Sequence, residues 1–265
     1  MHLVECVRAE RSFNLGAARM SLSITVSGYN RPEYFERTLQ ALSRCDGVGK
    51  CKVICVIDKC DEPGVTEAHR QLATKYGFGV AIAPDRLGCN AMIHRSFLVG
   101  FVSFAAEFHV HLEDDTVPTR DCLRWFEFAR DRYRADAGVM NVSGYQRASN
   151  GRLDECGARR WFTPWGWGTW VDRWMGLSRA WVRDDETEQG TSWDVIVNHG
   201  LRAGRREVFP TVSRIQNIGA EKGVHVPNAK WHAANHHVPV TADDIKGEPV
   251  SEWKHVIEAD RADHA

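Results

Sequence analysis

The chain has no excess of charge of either sign: its formal net charge is -1 and its isoelectric point is close to neutral. This argues against a nucleic-acid coat or a polybasic membrane anchor, although a local basic groove remains compatible with it. Also missing is any run of about 18 apolar residues, the length a bilayer-spanning helix needs. Residues 1–20 interleave charges with apolar side chains and lack the continuous apolar stretch of a secretion signal. They are read as a leader, with Met20 as an alternative start. The eight cysteines contain no CxxC pair. Cys51, Cys55 and Cys60 lie close enough together for zinc to be the minor reading. The main one is buried or incidental thiols in a reducing cytosol, and a cytoplasmic protein is expected. No internal repeat or low-complexity block is present.

What the 265 residues do provide is material for one large core. The stretch around which they are organised is FHVHLEDDT, Phe108–Thr116. Val110 and Leu112 suit a buried strand, while Asp114 and Asp115 are poor strand formers that belong at its exit. In an open α/β sheet, ligands bind beyond the carboxyl ends of the strands. Carboxylates crowded there repel one another unless a cation shares them. Mg2+ and Mn2+ prefer oxygen ligands and commonly take one or two carboxylates together with substrate phosphates. A metal–diphosphate site is thus the functional reading of Glu113, Asp114 and Asp115, and a solvated acidic turn is the plain one.

The rest of the chain supplies the sheet. Strands are expected at Ser21–Gly28, Lys52–Asp58 and Gly79–Ala83, and helices at Glu33–Leu42, Val65–Lys75 and Asn90–Phe101. This β-α alternation implies a mostly parallel sheet flanked by helices in a single α/β domain over residues 21–240. One edge would then collect Asn30, Arg31, Asp58 and the acidic triplet. A helix at Asp121–Tyr133 and a strand at Val139–Gly144 follow. Five of the ten tryptophans fall between Trp161 and Trp174, where Gly and Pro suggest an irregular wall, either core or a surface for flat ring faces. Ser192–Leu201 reads as a helix with Ser192 as its cap and Asp194 in its first turn. Glu207–Ser213 reads as the last strand, placed at an edge by Pro210. A loop runs from Asn217 to His225, and residues 241–265 form a peripheral tail.

The order of these motifs resembles nucleotide-sugar glycosyltransferases of the GT-A (Rossmann-like) fold, above all inverting family 2 enzymes and N-acetylglucosaminyltransferase I. The resemblance is carried by SGYNRPEYFERTL, VID, DRLGCNAMIHR, HLEDDT, WGWGTW, the SWD helix start and SRIQNIGAEKGVH, over about Ser21 to His225. It implies inverting transfer of a hexosyl or N-acetylhexosaminyl group from a nucleotide-sugar, with UDP as the expected nucleotide, to a hydroxyl acceptor. The cofactor implied is Mn2+ or Mg2+. Asp115 matches the metal-binding carboxylate, and Asp114 faces the donor ribose or sugar. Asp58 matches the acceptor of a nucleobase N–H, and Arg31 matches an arginine lying along the nucleotide. Arg86 assists the donor or is a surface arginine, and Trp167 in WGWGTW is assigned to the donor side. Asp194 matches the catalytic base, with Asp184 and Asp185 as competitors. His225 matches a loop histidine that ligates the metal or bonds phosphate, with His232, His236 and His237 close by.

Two departures from the pattern stand out. Lys59-Cys60-Asp61 replaces the usual Asp-Gly-Ser after the second strand, which puts base selectivity in question, and there is no stem region of the Golgi type. Other readings are a nucleotide-sugar-binding protein of the same fold without turnover, and a sugar nucleotidyltransferase. The second normally needs a Gly-rich phosphate loop, which SGYNRPEY does not supply. The acceptor is left open among a glycan, a lipid-linked sugar, a protein side chain and a modified nucleic-acid base.

Overall fold

Four runs of apolar, β-forming residues build the first half of the sheet in a computed structural model that describes residues 22–147, 151–181, 193–220, 228–236 and 250–259. They are β1 (Ser23–Gly28), β2 (Lys52–Ile57), β3 (Gly79–Ile82) and β4 (Phe108–Leu112). All pair in parallel, side by side in the order β4-β1-β2-β3. Ile24, Val26, Val110 and Leu112 have essentially no solvent exposure, as expected for central parallel strands covered on both faces. The crossovers are the helices α1 (Pro32–Ser43), α2 (Val65–Lys75) and α3 (Cys89–Leu98). Pro32 stands at the start of α1, where its missing N–H would have no partner within the helix. Phe35, Leu39 and Leu42 recur at helical spacing and form the face of α1 that is buried.

The second half continues the same sheet. In chain order it contains β5 (Thr116–Pro118), α4 (Cys122–Tyr133), β6 (Val139–Ser143), β7 (Glu155–Arg159), β8 (Trp167–Trp170) and α5 (Val171–Arg179). Then come α6 (Trp193–Arg202), β9 (Arg206–Pro210), β10 (Ile215–Asn217), α7 (Ala229–Asn235) and β11 (Lys254–Ala259). Among the described residues the main sheet has nine strands, ordered β11-β7-β9-β6-β8-β4-β1-β2-β3, and β5 and β10 form a separate antiparallel pair. Because β8 is antiparallel to both β4 and β6, and β9 is parallel to β6, the strands β1–β4, β6 and β9 all end at one edge. That edge carries the acidic triplet.

Three expectations change here. The tryptophan-rich segment is irregular, as expected, over residues 161–166 but regular from Trp167 onward: β8 fills the gap between β4 and β6, and α5 follows at once. Burial of its indoles outweighs the irregular look of the Gly- and Pro-containing sequence. Phe97, Phe162, Trp167, Trp174, Trp181 and Trp193 join in one aromatic cluster, with Trp174 stacked on Phe97 at a ring separation of 4.5 Å. β9 lies inside the sheet and not at its edge, because Pro210 is its last residue and its missing N–H interrupts little of the ladder. The tail returns to the sheet as β11, and Trp253 is buried edge-to-face against Trp125 at 5.3 Å.

Two polar clusters brace the fold. Glu207, fully buried, accepts from Arg159 Nε at 2.9 Å, Asn141 Nδ2 at 2.6 Å and Thr163 Oγ1 at 2.9 Å. A buried pair of this kind is satisfied only as a whole, so removing one partner strands the others. On β4, His109 and His111 share a face below the acidic turn, and Thr25 Oγ1 bonds His109 Nε2 at 2.8 Å and His111 Nδ1 at 3.1 Å. Burial lowers both imidazole pKa values, that of His111 to about 3. Above them, α3 runs into a π-helical turn at Val99–Ser103 that brings Gly100 against His109, where a Cβ would lie 2.1 Å from Nδ1. Among the described residues, no helix is long and apolar enough to cross a membrane.

Candidate active site

The acidic triplet sits in a tight turn between β4 and β5. Thr116 closes it: its hydroxyl donates to the Glu113 carbonyl at 2.8 Å and accepts the Glu113 N–H at 2.9 Å. Thr38, from α1, donates to the Asp114 carbonyl at 2.8 Å. The side chains of Asp114 and Asp115 are nearly buried, while Glu113 is partly exposed. Arg31, at the turn between β1 and α1, spans both aspartates. Its Nε donates to Asp114 Oδ2 at 3.0 Å, Nη2 pairs with Asp114 Oδ1, and Nη1 lies 3.0 Å from Asp115 Oδ2.

One guanidinium does not balance three carboxylates. Burial, followed by the charge of Asp115, pushes Asp114 up to about 7 even though Arg31 pulls the other way. Glu113 is likewise raised well above the carboxylate range by burial, then by Asp115 and Asp114, with a further contribution from Asp194. Burial alone would lower Arg31, but Asp114 and Asp115 outweigh it and raise the guanidinium above its ordinary value.

Asp115 is covered by the start of the Asn217–His225 loop, in which the sequence pointed to His225 alone. Ile218 N–H donates to the Asp115 carbonyl at 2.8 Å, and Asn217 Nδ2 reaches Asp115 Oδ1 at 3.5 Å. Asn217 Oδ1 accepts Gly219 N–H at 3.0 Å and faces His232 Nε2 at 2.8 Å, so that ring nitrogen is the donor. His232, on α7, thus reaches the acidic motif through Asn217. The signal for this was Asn217-Ile218-Gly219, an Asn and a Gly close behind a strand.

Asp58, at the end of β2, is almost fully buried. Its Oδ1 accepts N–H groups from Lys59 and Leu87, both at 2.9 Å, and its Oδ2 accepts that of Gly88 at 3.0 Å. It is thus a clamp on the loop leading into α3, with one lone-pair direction of Oδ2 left for a ligand. Arg86, exposed, lies with its guanidinium 5.1 Å from the centre of the Tyr29 ring. Tyr29 closes β1 on the same edge, a second neighbour of Asp58 that the sequence reading did not single out.

Asp194 occupies the second position of α6, partly exposed, where the helix dipole favours a carboxylate. Asp194 follows Trp193, whose N–H is bonded at 2.9 Å to Asn90 in the first turn of α3, so it lies on the edge where β3 gives way to α3, and its charge adds to the raising of Glu113. The structure therefore brings Arg31, Asp58, Asp114, Asp115, Arg86 and Asp194 to one edge. Trp167 is not available there: its ring is fully enclosed, 4.4 Å from Phe97 and 5.1 Å from Phe162, so a donor-facing role is ruled out by burial. His225, His237, Asp184 and Asp185 lie outside the described residues, as does Ser192.

Among the described residues no three His, Cys, Asp or Glu side chains converge as a ready cage for a metal ion, at the cysteines or anywhere else. The acidic turn nevertheless fits a hard divalent cation. Its donors are carboxylate oxygens, they carry more negative charge than Arg31 neutralises, and two protein ligands suffice when a diphosphate supplies the others.

No protein-family model matches the sequence, and no curated protein does. Solved structures do match. A mannosyltransferase of Pyrobaculum calidifontis, in complex with GDP-Man and Mn2+, aligns with a TM-score of 0.55 at 18% identity, over 83% of this chain and 62% of the other. GalNAc-T7, with UDP, GalNAc and Mn2+, aligns at 0.54 and 9% identity over 81% and 48%. S. aureus TarS 1-349, in complex with UDP, aligns at 0.53 and 14% identity over 74% and 59%. The chain has the GT-A fold. It spans no more than 62% of these chains, so the likeness establishes architecture and leaves activity to the residues of the site.

Proposed function

We propose that the protein is a divalent-metal-dependent glycosyltransferase that moves a sugar from a nucleotide-sugar, UDP-linked in the first instance, to a hydroxyl acceptor with inversion. The observation that carries this reading is the convergence of the Asp114–Asp115 pair and Asp194 on one edge of a GT-A sheet. A second carboxylate, set apart from the metal-type pair and on a separate helix, is what single-displacement chemistry requires. The solved neighbours with this fold hold GDP-Man or UDP together with Mn2+ or UDP alone, which supports the donor class.

In this reading Asp115, with Asp114 beside it, would hold Mn2+ or Mg2+. Such an ion, when bound, supplies Lewis-acid stabilisation of charge on the departing diphosphate. The remaining work falls to the chain's own side chains. Arg31 swings between its aspartate partners and a phosphate oxygen, for which its planar fork is equally suited. Asp58 fixes the Leu87–Gly88 loop and offers its remaining lone pair to a base N–H, while Tyr29 and Arg86 border the base. Asp194 accepts the acceptor's hydroxyl proton at its carboxylate as the oxygen attacks the anomeric carbon. A screen of nucleotide-sugars for Mn2+-dependent thermal protection tests the reading, because a bound donor stabilises by mass action. Protection by none of them, with or without metal, would refute it.

A further inference from the structure

Asn90 lies in the first turn of α3 and is almost fully buried. Its side-chain Oδ1 accepts the Trp193 N–H at 2.9 Å, and its backbone carbonyl accepts the Trp181 Nε1–H at 2.8 Å. Trp193 is the first residue of α6. The leading N–H groups of a helix have no partner within it, and an amide or carboxylate oxygen is the usual remedy. Here that oxygen comes from a different helix. The rings of the two tryptophans bonded to Asn90, Trp181 through its indole and Trp193 through its backbone, also stack on each other, 6.2 Å apart and 15° from parallel, and Trp193 stacks in turn on Trp167 at 6.0 Å and 11°. Two residues before Asn90, the Gly88 N–H is gripped by Asp58. A short path therefore links the donor side of the edge to its acceptor side, through Asp58, Gly88, Asn90 and Trp193 to Asp194.

We infer that Asn90 is a positioning residue for the general base: by capping α6 from α3 it fixes the first turn of that helix, and with it the carboxylate of Asp194. The inference rests on the glycosyl-transfer reading in which Asp194 takes the acceptor proton. A base works only with its oxygen within about 2.6–3.2 Å of the hydroxyl oxygen whose proton it removes. A displacement of about 1 Å lowers a rate by on the order of a hundredfold. Asp194 follows the tethered amide by a single residue, so slack at Trp193 passes directly to it. Nothing in this arrangement touches the donor phosphates, so donor affinity is expected to be indifferent to it.

The test compares Asn90→Ala and Asn90→Asp with the wild-type chain, each also in an Asp194→Asn background, using Mn2+ and the donor that gives the largest thermal protection. Asn90→Asp keeps the oxygen at the capping position. For Asn90→Ala we expect kcat for transfer to fall on the order of ten- to a hundredfold, the donor KM to stay within about twofold, and Asn90→Asp to recover most of the rate. In the Asp194→Asn background, Asn90→Ala should add almost nothing, because residues acting through one group are non-additive. An Asn90→Ala rate equal to wild type overturns the inference. So does an equal loss in both backgrounds, or a donor KM that rises in step with the fall in kcat, since either marks a general structural role. If Asn90→Ala does not fold, Asn90→Asp alone decides: a soluble but slow Asn90→Asp with intact donor affinity also overturns it. Wild-type protein that turns over no donor refutes the glycosyl-transfer reading itself, and is told apart by needing no variant.

Discussion

Gly219 approaches Asp115 so closely that a Cβ on it would lie 2.5 Å from Oδ2. The loop after β10 is thereby folded down over the carboxylate assigned to the metal, with the Asp115 carbonyl tied to Ile218 N–H at 2.8 Å. Any side chain at this position must push the Asp115 carboxylate or the loop aside. Gly219→Ala should therefore weaken Mn2+-dependent binding of UDP by about tenfold or more, while thermal stability changes little, since the adjustment falls on one carboxylate at the sheet edge. Isothermal calorimetry with UDP in the presence and absence of Mn2+ measures this. Undiminished metal-dependent binding would mean that Asp115 is not the ligand.

Removing the Asp58 carboxylate has two separable effects. The Leu87 and Gly88 N–H groups lose their acceptor, and stranding buried donors costs about 1–3 kcal/mol. Asp58→Ala should lower the urea midpoint accordingly and raise the donor KM. Asp58→Asn, which retains one acceptor oxygen, should fall between the two in stability. A stable Asp58→Ala with altered KM would assign the residue to the base alone. A destabilised one with normal KM would assign it to the loop alone.

The difference between these two effects shows what the sequence could and could not convey. The strand–helix alternation was legible because β2, α2 and β4 are bounded by their own local chemistry: apolar β-formers that stop at a carboxylate, Asp58 or Glu113, and a periodic helix ended by Lys75. The clustering of Arg31, Asp58 and the acidic triplet followed from parallel strands ending at one edge. What Asp58 grips was not legible, because its partners lie about thirty residues ahead, on a loop whose approach depends on tertiary packing. The strand Trp167–Trp170 was missed for a related reason. Its regularity comes from being wedged between β4 and β6, and nothing local to WGWGTW announces those neighbours. The same non-local pairing puts β9 in the middle of the sheet despite Pro210.

Acid should destabilise the fold through β4. The pKa of His111 is lowered by burial from 6.5 to about 3. The unfolded chain thus takes up the proton first, and stability that is fully present above pH 6.5 is lost as pH falls toward 3. From pH 6.5 to pH 5 this loss amounts to about 2 kcal/mol for one such imidazole, and His109, shifted in the same direction, adds to it. His111→Asn, whose amide reaches the place of Nδ1 beside Thr25, should show a shallower decline of unfolding free energy over that range. Urea titrations at several pH values would decide, and equal slopes in the two proteins would exclude His111 as the source.

The sharpest expectation concerns Asp194. A positioned general base contributes roughly 10²–10⁴-fold in rate, and in the proposed reaction it acts on the acceptor hydroxyl alone. Asp194→Asn keeps size and polarity at the second position of α6 but cannot accept a proton at neutral pH. It should bind donor and metal as the wild type does, show the same thermal protection, and transfer sugar at least about a hundredfold more slowly. Its carboxylate also raises Glu113 in the folded protein. The substitution should therefore ease the charge crowding at the acidic turn and bring Glu113 back somewhat toward the ordinary carboxylate range. Wild-type product examined by NMR should carry the inverted anomeric configuration, because attack assisted by one base is a single displacement. Retention would remove Asp194 from this role. Wild-type rates in Asp194→Asn, with Asp184→Asn or Asp185→Asn inactive, would move the base to the segment just before α6.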